Sequence, residues 1–507
     1  MNWSILRDWV DNPIFIKHVR SRLRMQPLAA GVVVVLVLCM CIVWAGYEND
    51  AFLNGRAFEW LVMLQGIILI ILGGSQVSAA VGGARLSGIL DFHRVSPLTP
   101  AELTLGFFFG APIREYVQFA CTLPFVALFM AFGVPTVHGY IQIFIFLVAS
   151  TWVFHGMALL NSLIMKPGRN ARGAIGVVLF FILIFFNMMR MGRFIPSIAL
   201  FDEGGRLTFF GMSLPWLAVV LFYVGGLLFF IYLAARRRIG EERIHPLSKP
   251  QAIAALASLS VLMLGGVWRT EDNGVVQIVA LYLLVIAAIL LILMVTPTRA
   301  EYFKGLWRAK RQGRGHLSWW ADLSLNRVFL IIACAITLVS ATLAQAALGN
   351  PQSTTPAIFS SPGNFPLAIA NGVLVIAYFG LAEQYFLLRF GRRGATYFAL
   401  FLFLAWLVPL VAGTILAMAS RNGDGGVASQ VLFGMSPISG IWMVASSAID
   451  QSYRMAIQGP AITPPLLFTF VFNSLLIAAR RRSHKAFENS ASGAGASVEP
   501  LESPNAS

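Results

Sequence analysis

The sequence predicts an all-α integral membrane protein of about twelve transmembrane helices, built as two six-helix repeats of the same orientation. Three observations predict this. Of 507 residues 58% are hydrophobic and 12% charged, with a mean hydropathy of +0.75, so the chain has too few charges to solvate a globular surface of its size. The apolar residues fall in runs of about 20, the length that crosses a bilayer as a helix. Short matching stretches recur in the same order in the two halves.

The first half carries candidate spans at 28–46, 59–81, 117–136, 140–163, 173–191 and 211–234, and the second at 251–268, 275–296, 328–347, 366–388, 395–418 and 461–479. The first run lacks a small-residue cleavage site and follows a basic amphipathic stretch, which predicts a retained span rather than a signal peptide. The four cysteines, Cys39, Cys41, Cys121 and Cys334, lie inside apolar runs without CxxC spacing, so they read as small core residues. A thirteenth apolar stretch, Val427 to Ser447, competes for a crossing, and charge decides against it. Lys and Arg are retained on the cytoplasmic side. With twelve spans and both termini cytoplasmic, 30 of the 37 Lys and Arg fall inside, whereas a thirteenth crossing sends Arg480, Arg481 and Arg482 outside. Val427 to Ser447, interrupted by Ser436-Pro437, is therefore expected to be a re-entrant or interfacial element on the outer face. The net charge of +15 lies in clusters between apolar runs rather than on a basic face, so it reports membrane topology and not nucleic-acid binding.

Three matches carry the duplication. Arg172-Gly-Ala-Ile-Gly-Val-Val-Leu-Phe-Phe-Ile-Leu resembles Arg393-Gly-Ala-Thr-Tyr-Phe-Ala-Leu-Phe-Leu-Phe-Leu, each after the fourth span of its half. Leu233-Ala-Ala-Arg-Arg-Arg and Ile477-Ala-Ala-Arg-Arg-Arg close the sixth spans. Val95-Ser-Pro-Leu-Thr-Pro-Ala-Glu and Val295-Thr-Pro-Thr-Arg-Ala-Glu, with one gap, follow the second spans. An even number of spans per unit gives both copies one orientation. The expected domains are an amphipathic elbow at 1–27, units at 28–240 and 241–485, and a disordered tail at 486–507, where Ser, Gly and Pro offer almost nothing to bury.

Before the first span, in Asp11-Asn-Pro-Ile-Phe-Ile-Lys-His-Val-Arg-Ser-Arg-Leu-Arg24, Ile16, Val19 and Leu23 share one helical face and Lys17, Arg20 and Arg24 another, the pattern of a membrane-surface helix. An ordinary positive-inside flank would carry the same charges. After the second span comes Leu86-Ser-Gly-Ile-Leu-Asp-Phe-His-Arg-Val-Ser-Pro-Leu-Thr-Pro-Ala-Glu-Leu-Thr-Leu-Gly106. Thr99-Pro100-Ala101-Glu102 supplies a cap residue, a proline at the first helical position and an acid in the first turn, so a helix starts there.

The Asn-Pro helix ending in Arg-x-Arg-x-Arg resembles the N-terminal elbow of permeases of the type-2 ATP-binding-cassette (ABC) exporter family, and the loop is similar to that family's cytoplasmic coupling segment. The resemblance is stronger over 1–240 than over 250–482, where His245-Pro246 only faintly echoes Asn12-Pro13 and a basic insertion, Arg308-Ala-Lys-Arg-Gln-Gly-Arg314, interrupts the second loop. It implies a transmembrane permease subunit in a cell inner (plasma) membrane, coupled to a separate ABC ATPase subunit that acts as a dimer. The expected coupling residues are Leu98, Thr99, Pro100 and Glu102 in the first unit, with Pro297 and Glu301 in the second. No Gly-x-x-x-x-Gly-Lys-Ser/Thr loop occurs in the chain, so ATP chemistry is left to the partner.

Two other classes compete. Arg389-Phe-Gly-Arg-Arg393 looks like the end of a loop motif of major facilitator secondary transporters, but Leu388 stands where an Asp belongs, the motif follows the tenth span, and few acids lie in the spans. A membrane-embedded transferase or protease needs converging acids, histidines or a nucleophile. Here no HExxH and no paired intramembrane aspartates occur, and no catalytic, cofactor-binding or metal residues are expected. Glu383 is expected to snorkel or pair with Arg389, Arg190 and Arg193 to anchor at the outer face, and His155 to be a hydrogen-bonded interior histidine. The scarcity of polar lining predicts an amphiphilic or lipid-linked substrate.

Overall fold

The computed structural model describes residues 12–48, 55–133, 136–164, 205–241, 245–268, 273–314, 316–346, 365–419, 426–445 and 454–493. Among these residues eleven helices are long and apolar enough to cross a membrane, and one short hairpin is the only sheet, so the protein is an all-α, multi-pass membrane protein. The eleven coincide with eleven of the twelve expected spans. The remaining one, 173–191, lies outside the described residues, as do Arg190 and Arg193. The chain divides into two compact units at Leu247 and Ser248, a little past the expected boundary at 240.

The first unit opens with α1 (Pro13–Arg22), capped by Asn12, and α2 (Met25–Glu48). At 1.5 Å per residue, the 24 residues of α2 extend about 36 Å, enough for the roughly 30 Å hydrocarbon core. Next come α3 (Arg56–Leu86), the short α4 (Ile89–Val95), α5 (Pro100–Ala131, interrupted at Ala111-Pro112 and Cys121-Thr122) and α6 (Val137–Ile164). Helix α3 contains a π-helical stretch, Ile67–Leu72. A π stretch releases carbonyls from the regular ladder. The Leu69 carbonyl is taken by Nε2 of His155 on α6 at 2.9 Å, so that nitrogen carries the proton, and the Tyr116 hydroxyl donates to Nδ1 at 3.2 Å. His155 is thus the fully buried, hydrogen-bonded histidine the sequence implied. Gly73 leaves the room it needs, since a Cβ there would sit 2.4 Å from Nε2.

The sixth span, α7 (Trp216–Gly240), starts later than expected. Residues 211–215 belong instead to a hairpin of β1 (Arg206–Phe209) and β2 (Met212–Pro215), with Arg206 opposite Pro215 and Phe209 opposite Met212. Its two-residue turn places both Phe210 (φ 50°) and Gly211 (φ 74°) in the left-handed region, which is the turn whose twist fits paired strands.

The second unit contains α8 (Lys249–Val267), α9 (Asn273–Val295), α10 (Arg299–Arg311), α11 (Arg327–Ala346), α12 (Phe365–Phe390) and α13 (Gly394–Ala419). It closes with α14 (Gly426–Met435), α15 (Pro437–Ala445) and α16 (Arg454–Gly493). Helices α14 and α15, of 10 and 9 residues, are each too short to span. They break at Ser436-Pro437 and fold against each other so closely that a Cβ on Gly440 would lie 2.6 Å from the Gly434 carbonyl oxygen. The Ser436 hydroxyl donates at 2.6 Å to the carbonyl of Trp406, which lies in a π-helical stretch of α13, Phe403–Leu407. Helix α12 is the centre of the unit, packing against α9, α11, α13, α15 and α16.

The tail differs from expectation. Helix α16 continues to Gly493, because Phe487 has a partner: its ring lies 5.0 Å from that of Trp307 on α10, edge to face. Residues 494–507 lie outside the described residues.

Candidate coupling segments

In the first unit the segment from Leu86 to Gly106 is a turn, a short helix and the capped start of a long one. Gly88, at φ +70°, lets the chain leave α3 and start α4. Thr99 caps α5 in a reciprocal capping box: its hydroxyl oxygen accepts from the Glu102 amide at 3.2 Å, and the Thr99 amide donates to Oε2 of Glu102 at 2.7 Å. Pro100 occupies the first helical position, where its missing N–H leaves nothing unsatisfied. The helix so started is the first stretch of the span running to Ala131, not a separate surface element.

This start is braced on two sides. Asn12 caps α1 by accepting from the amides of Ile14 at 2.9 Å and Phe15 at 3.3 Å, and its Nδ2 donates to the carbonyl of Glu102 at 2.7 Å. Gly106 and Gly110, one turn apart on α5, let α1 approach closely: Ile14 fills the space beside the first, and Phe15 and His18 that beside the second. His18 faces the Phe107 ring at 5.4 Å, and burial, together with Arg22 and Lys17, pushes its pKa down to about 4. On the other side Pro100 abuts Gly240, and Nε of Arg94 donates at 2.8 Å to the Ile239 carbonyl at the end of α7. Arg85 likewise donates at 2.6 Å to the Ser162 carbonyl at the end of α6. Cations at helix C-termini are favoured by the helix dipole, so these arginines tie the ends of α6 and α7 to the segment.

Leu98 is half-buried against the cluster of Ile14, Leu90, Leu103, Phe107 and Ile239. Thr99 is exposed, and Pro100 and Glu102 are half-buried. The surface that a partner can reach is therefore not Leu98 but the neighbouring Phe92, 67% exposed, and Val95, 83% exposed, with Leu86 and Ile89 beside them. No sequence signal separates the two, since Leu90 and Phe92 are equally apolar and only the packing buries the former.

The second unit repeats the cap. Thr298 accepts from the Glu301 amide at 3.4 Å, and its own amide donates to Oε2 of Glu301 at 2.7 Å, the same reciprocal bonds as at Thr99 and Glu102. Glu301 is half-buried and Pro297 buried. The bracing is different. Thr296 is tied to α12 through Oε2 of Glu383 at 2.8 Å, and Nδ2 of Asn326 donates to the same hydroxyl at 2.8 Å. Glu383, 4% exposed, is held here rather than pairing with Arg389 as its sequence position suggested. Tyr302 pairs with Nε2 of His484 on α16 at 3.0 Å, and burial raises its pKa. A further buried acid, Glu115 on α5, went unnoticed in sequence because the expected third span began after it; it meets Arg114 at 2.9 Å.

Comparison with models of protein families, with curated proteins and with solved structures returns no match.

Proposed function

We propose that this chain is the transmembrane permease of an ATP-driven exporter of the type-2 ABC kind, in which a separate cassette ATPase docks on residues 86–106. One observation carries the reading. An exposed apolar surface, Phe92 and Val95, sits directly beside a braced helix start, Thr99 to Glu102, that continues into a membrane span. A push on α4 then moves the first turn of α5 and, through Asn12 and Ile14, α1 with it. Packed, hydrogen-bonded elements transmit displacement instead of absorbing it.

The two units are duplicated copies of one six-span module in one orientation. In support, these helix pairs touch in both units among the described residues: first with second and third, second with third and fourth, third with fourth, and fourth with sixth; the third packs closely on the sixth in the first unit only. Each capped segment also meets the sixth span of its own unit, Pro100 at Gly240 and Tyr302 at His484. Two segments in one chain serve the two halves of an ATPase dimer, so no second copy of the permease is required. The charge bias supports a topology with both termini and both segments on the cytoplasmic side, and the membrane of this reading is the plasma membrane. The cargo is amphiphilic or lipid-linked.

The test is co-purification. The wild-type chain is expected to bring down a cassette ATPase from its native membrane. Replacing Pro97 to Glu102 with a Gly-Ser linker is expected to abolish that and ATP-dependent transport. A linker variant that retains both refutes the coupling role.

A further inference from the structure

The basic insertion of the second unit is left without a role by the coupling reading, and its structure is specific. Helix α10 buries Tyr302, Gly305, Leu306 and Ala309 and exposes Lys304, Arg308, Lys310 and Arg311. The chain that follows turns back on the helix, with Leu317 and Leu323 packed at Gly305. It presents two adjacent tryptophans, Trp319 at 69% and Trp320 at 50% exposed. These rings stand on a fixed loop: the Ser324 hydroxyl donates to the Trp319 carbonyl at 2.9 Å, and Nζ of Lys249, itself buried, donates to the carbonyls of Ala321 at 2.9 Å and Ser324 at 2.7 Å. Between the rings and the basic chain lies an open depression of about 480 Å³ lined by Arg314, His316, Ser318, Trp319 and Trp320.

We propose that this surface binds the headgroups of anionic phospholipids of the membrane the protein spans. The segment is tethered to the bilayer at both ends, because α9 ends at Val295, just before it, and the span α11 starts at Arg327, just after it. Tryptophan is favoured at the membrane–water interface, where its ring sits at headgroup depth, and clustered Lys and Arg beside a span attract anionic lipid. The acids of the segment do not cancel the charge: Glu301 and Asp322 stand against seven Lys and Arg between Arg299 and Arg327. The corresponding stretch of the first unit, Pro100 to Glu115, has one cation, Arg114, so this basic surface has no counterpart at that place in the first unit. The assignment does not depend on coupling to an ATPase.

Native mass spectrometry of the full-length protein in detergent tests it. The protein is titrated with phosphatidylglycerol or with phosphatidylcholine of the same acyl chains, with soluble glycerol phosphate as competitor. Wild type is expected to retain phosphatidylglycerol preferentially and to keep it in the presence of glycerol phosphate. Each cation near an anionic surface contributes roughly fivefold, so Arg308→Gln with Lys310→Gln and Arg311→Gln is expected to reduce the preference on the order of 100-fold. Arg308→Lys with Arg311→Lys keeps it, and Trp319→Ser with Trp320→Ser weakens both lipids alike. Equal retention of the two lipids by wild type, or an undiminished preference in the triple glutamine variant, overturns the proposal. Displacement by glycerol phosphate assigns the depression to a soluble phosphate ligand and overturns it as well. So does a triple variant that keeps phosphatidylglycerol but loses a protein partner, which would make this face a protein-docking surface.

Discussion

Replacing Gly106 with alanine places a methyl group 2.7 Å from Cβ and 2.9 Å from Cγ2 of Ile14, and 3.0 Å from Oδ1 of Asn12. Neither neighbour can yield easily, since Ile14 is 2% and Asn12 3% exposed. Overpacking of this kind costs about 1–3 kcal/mol. Displacing Asn12 also removes its hydrogen bond to the Glu102 carbonyl, about 1 kcal/mol. Alanine's better helix propensity acts on α5 whether or not α1 is docked, so α1 loses roughly 2–4 kcal/mol of docking free energy, about a thirtyfold to thousandfold shift. Hydrogen–deuterium exchange of peptides covering Pro13 to Arg22 reads this directly. The variant is expected to exchange faster by that factor, while the ends of α6 and α7 keep wild-type protection. Gly83→Ala is the control, since nothing lies within 4 Å of a Cβ there, and it is expected to be neutral or slightly stabilising. Unchanged protection of α1 in Gly106→Ala would refute the brace.

The capping boxes predict that Thr99→Ala and Thr298→Ala each weaken the first turn of their helices by about 1 kcal/mol, visible as faster exchange of the amides following each cap. Docking of α1 is pH-dependent through His18: released, it titrates near 6.5, and docked near 4, so docking is complete above pH 6.5 and weakens as pH falls toward 4. By pH 5 the docking equilibrium is expected to drop on the order of tenfold, and His18→Phe to remove the dependence; exchange of α1 peptides between pH 7 and pH 5 measures both. Truncation after Gly493 is expected to leave thermal stability unchanged, whereas truncation after Lys485 removes Phe487 from Trp307 and destabilises the α10–α16 contact by about 1–2 kcal/mol, measured as a lower unfolding temperature.

Spans were legible because about 20 apolar residues admit few other solutions in one chain. The cap at Thr99 is legible too, because it is local: Thr99 and Glu102 lie three residues apart. What the sequence hid is long-range. The Asn12 bond to Glu102 joins residues ninety apart, and no pattern in either segment announces it. The hairpin before α7 escaped notice because its turn, Phe210-Gly211, lacks the usual Asn or Asp in its first position. The tail is ordered beyond its expected boundary at 486, where a single aromatic, Phe487, meets Trp307. Glu383 was placed by its neighbours in sequence, whereas its partner Thr296 comes from another span.

The most direct test of the central claim is photo-crosslinking in native membranes from a benzophenone amino acid placed at Phe92, at Val95 and, as a control, at Phe210, which lies in the hairpin before α7. Positions 92 and 95 are expected to crosslink to a nucleotide-binding protein, with the yield changing when that protein's ATP cycle is trapped, and position 210 to give no such product. Absence of a nucleotide-binding product from both 92 and 95, or an equal yield from position 210, would contradict ATPase docking on this segment.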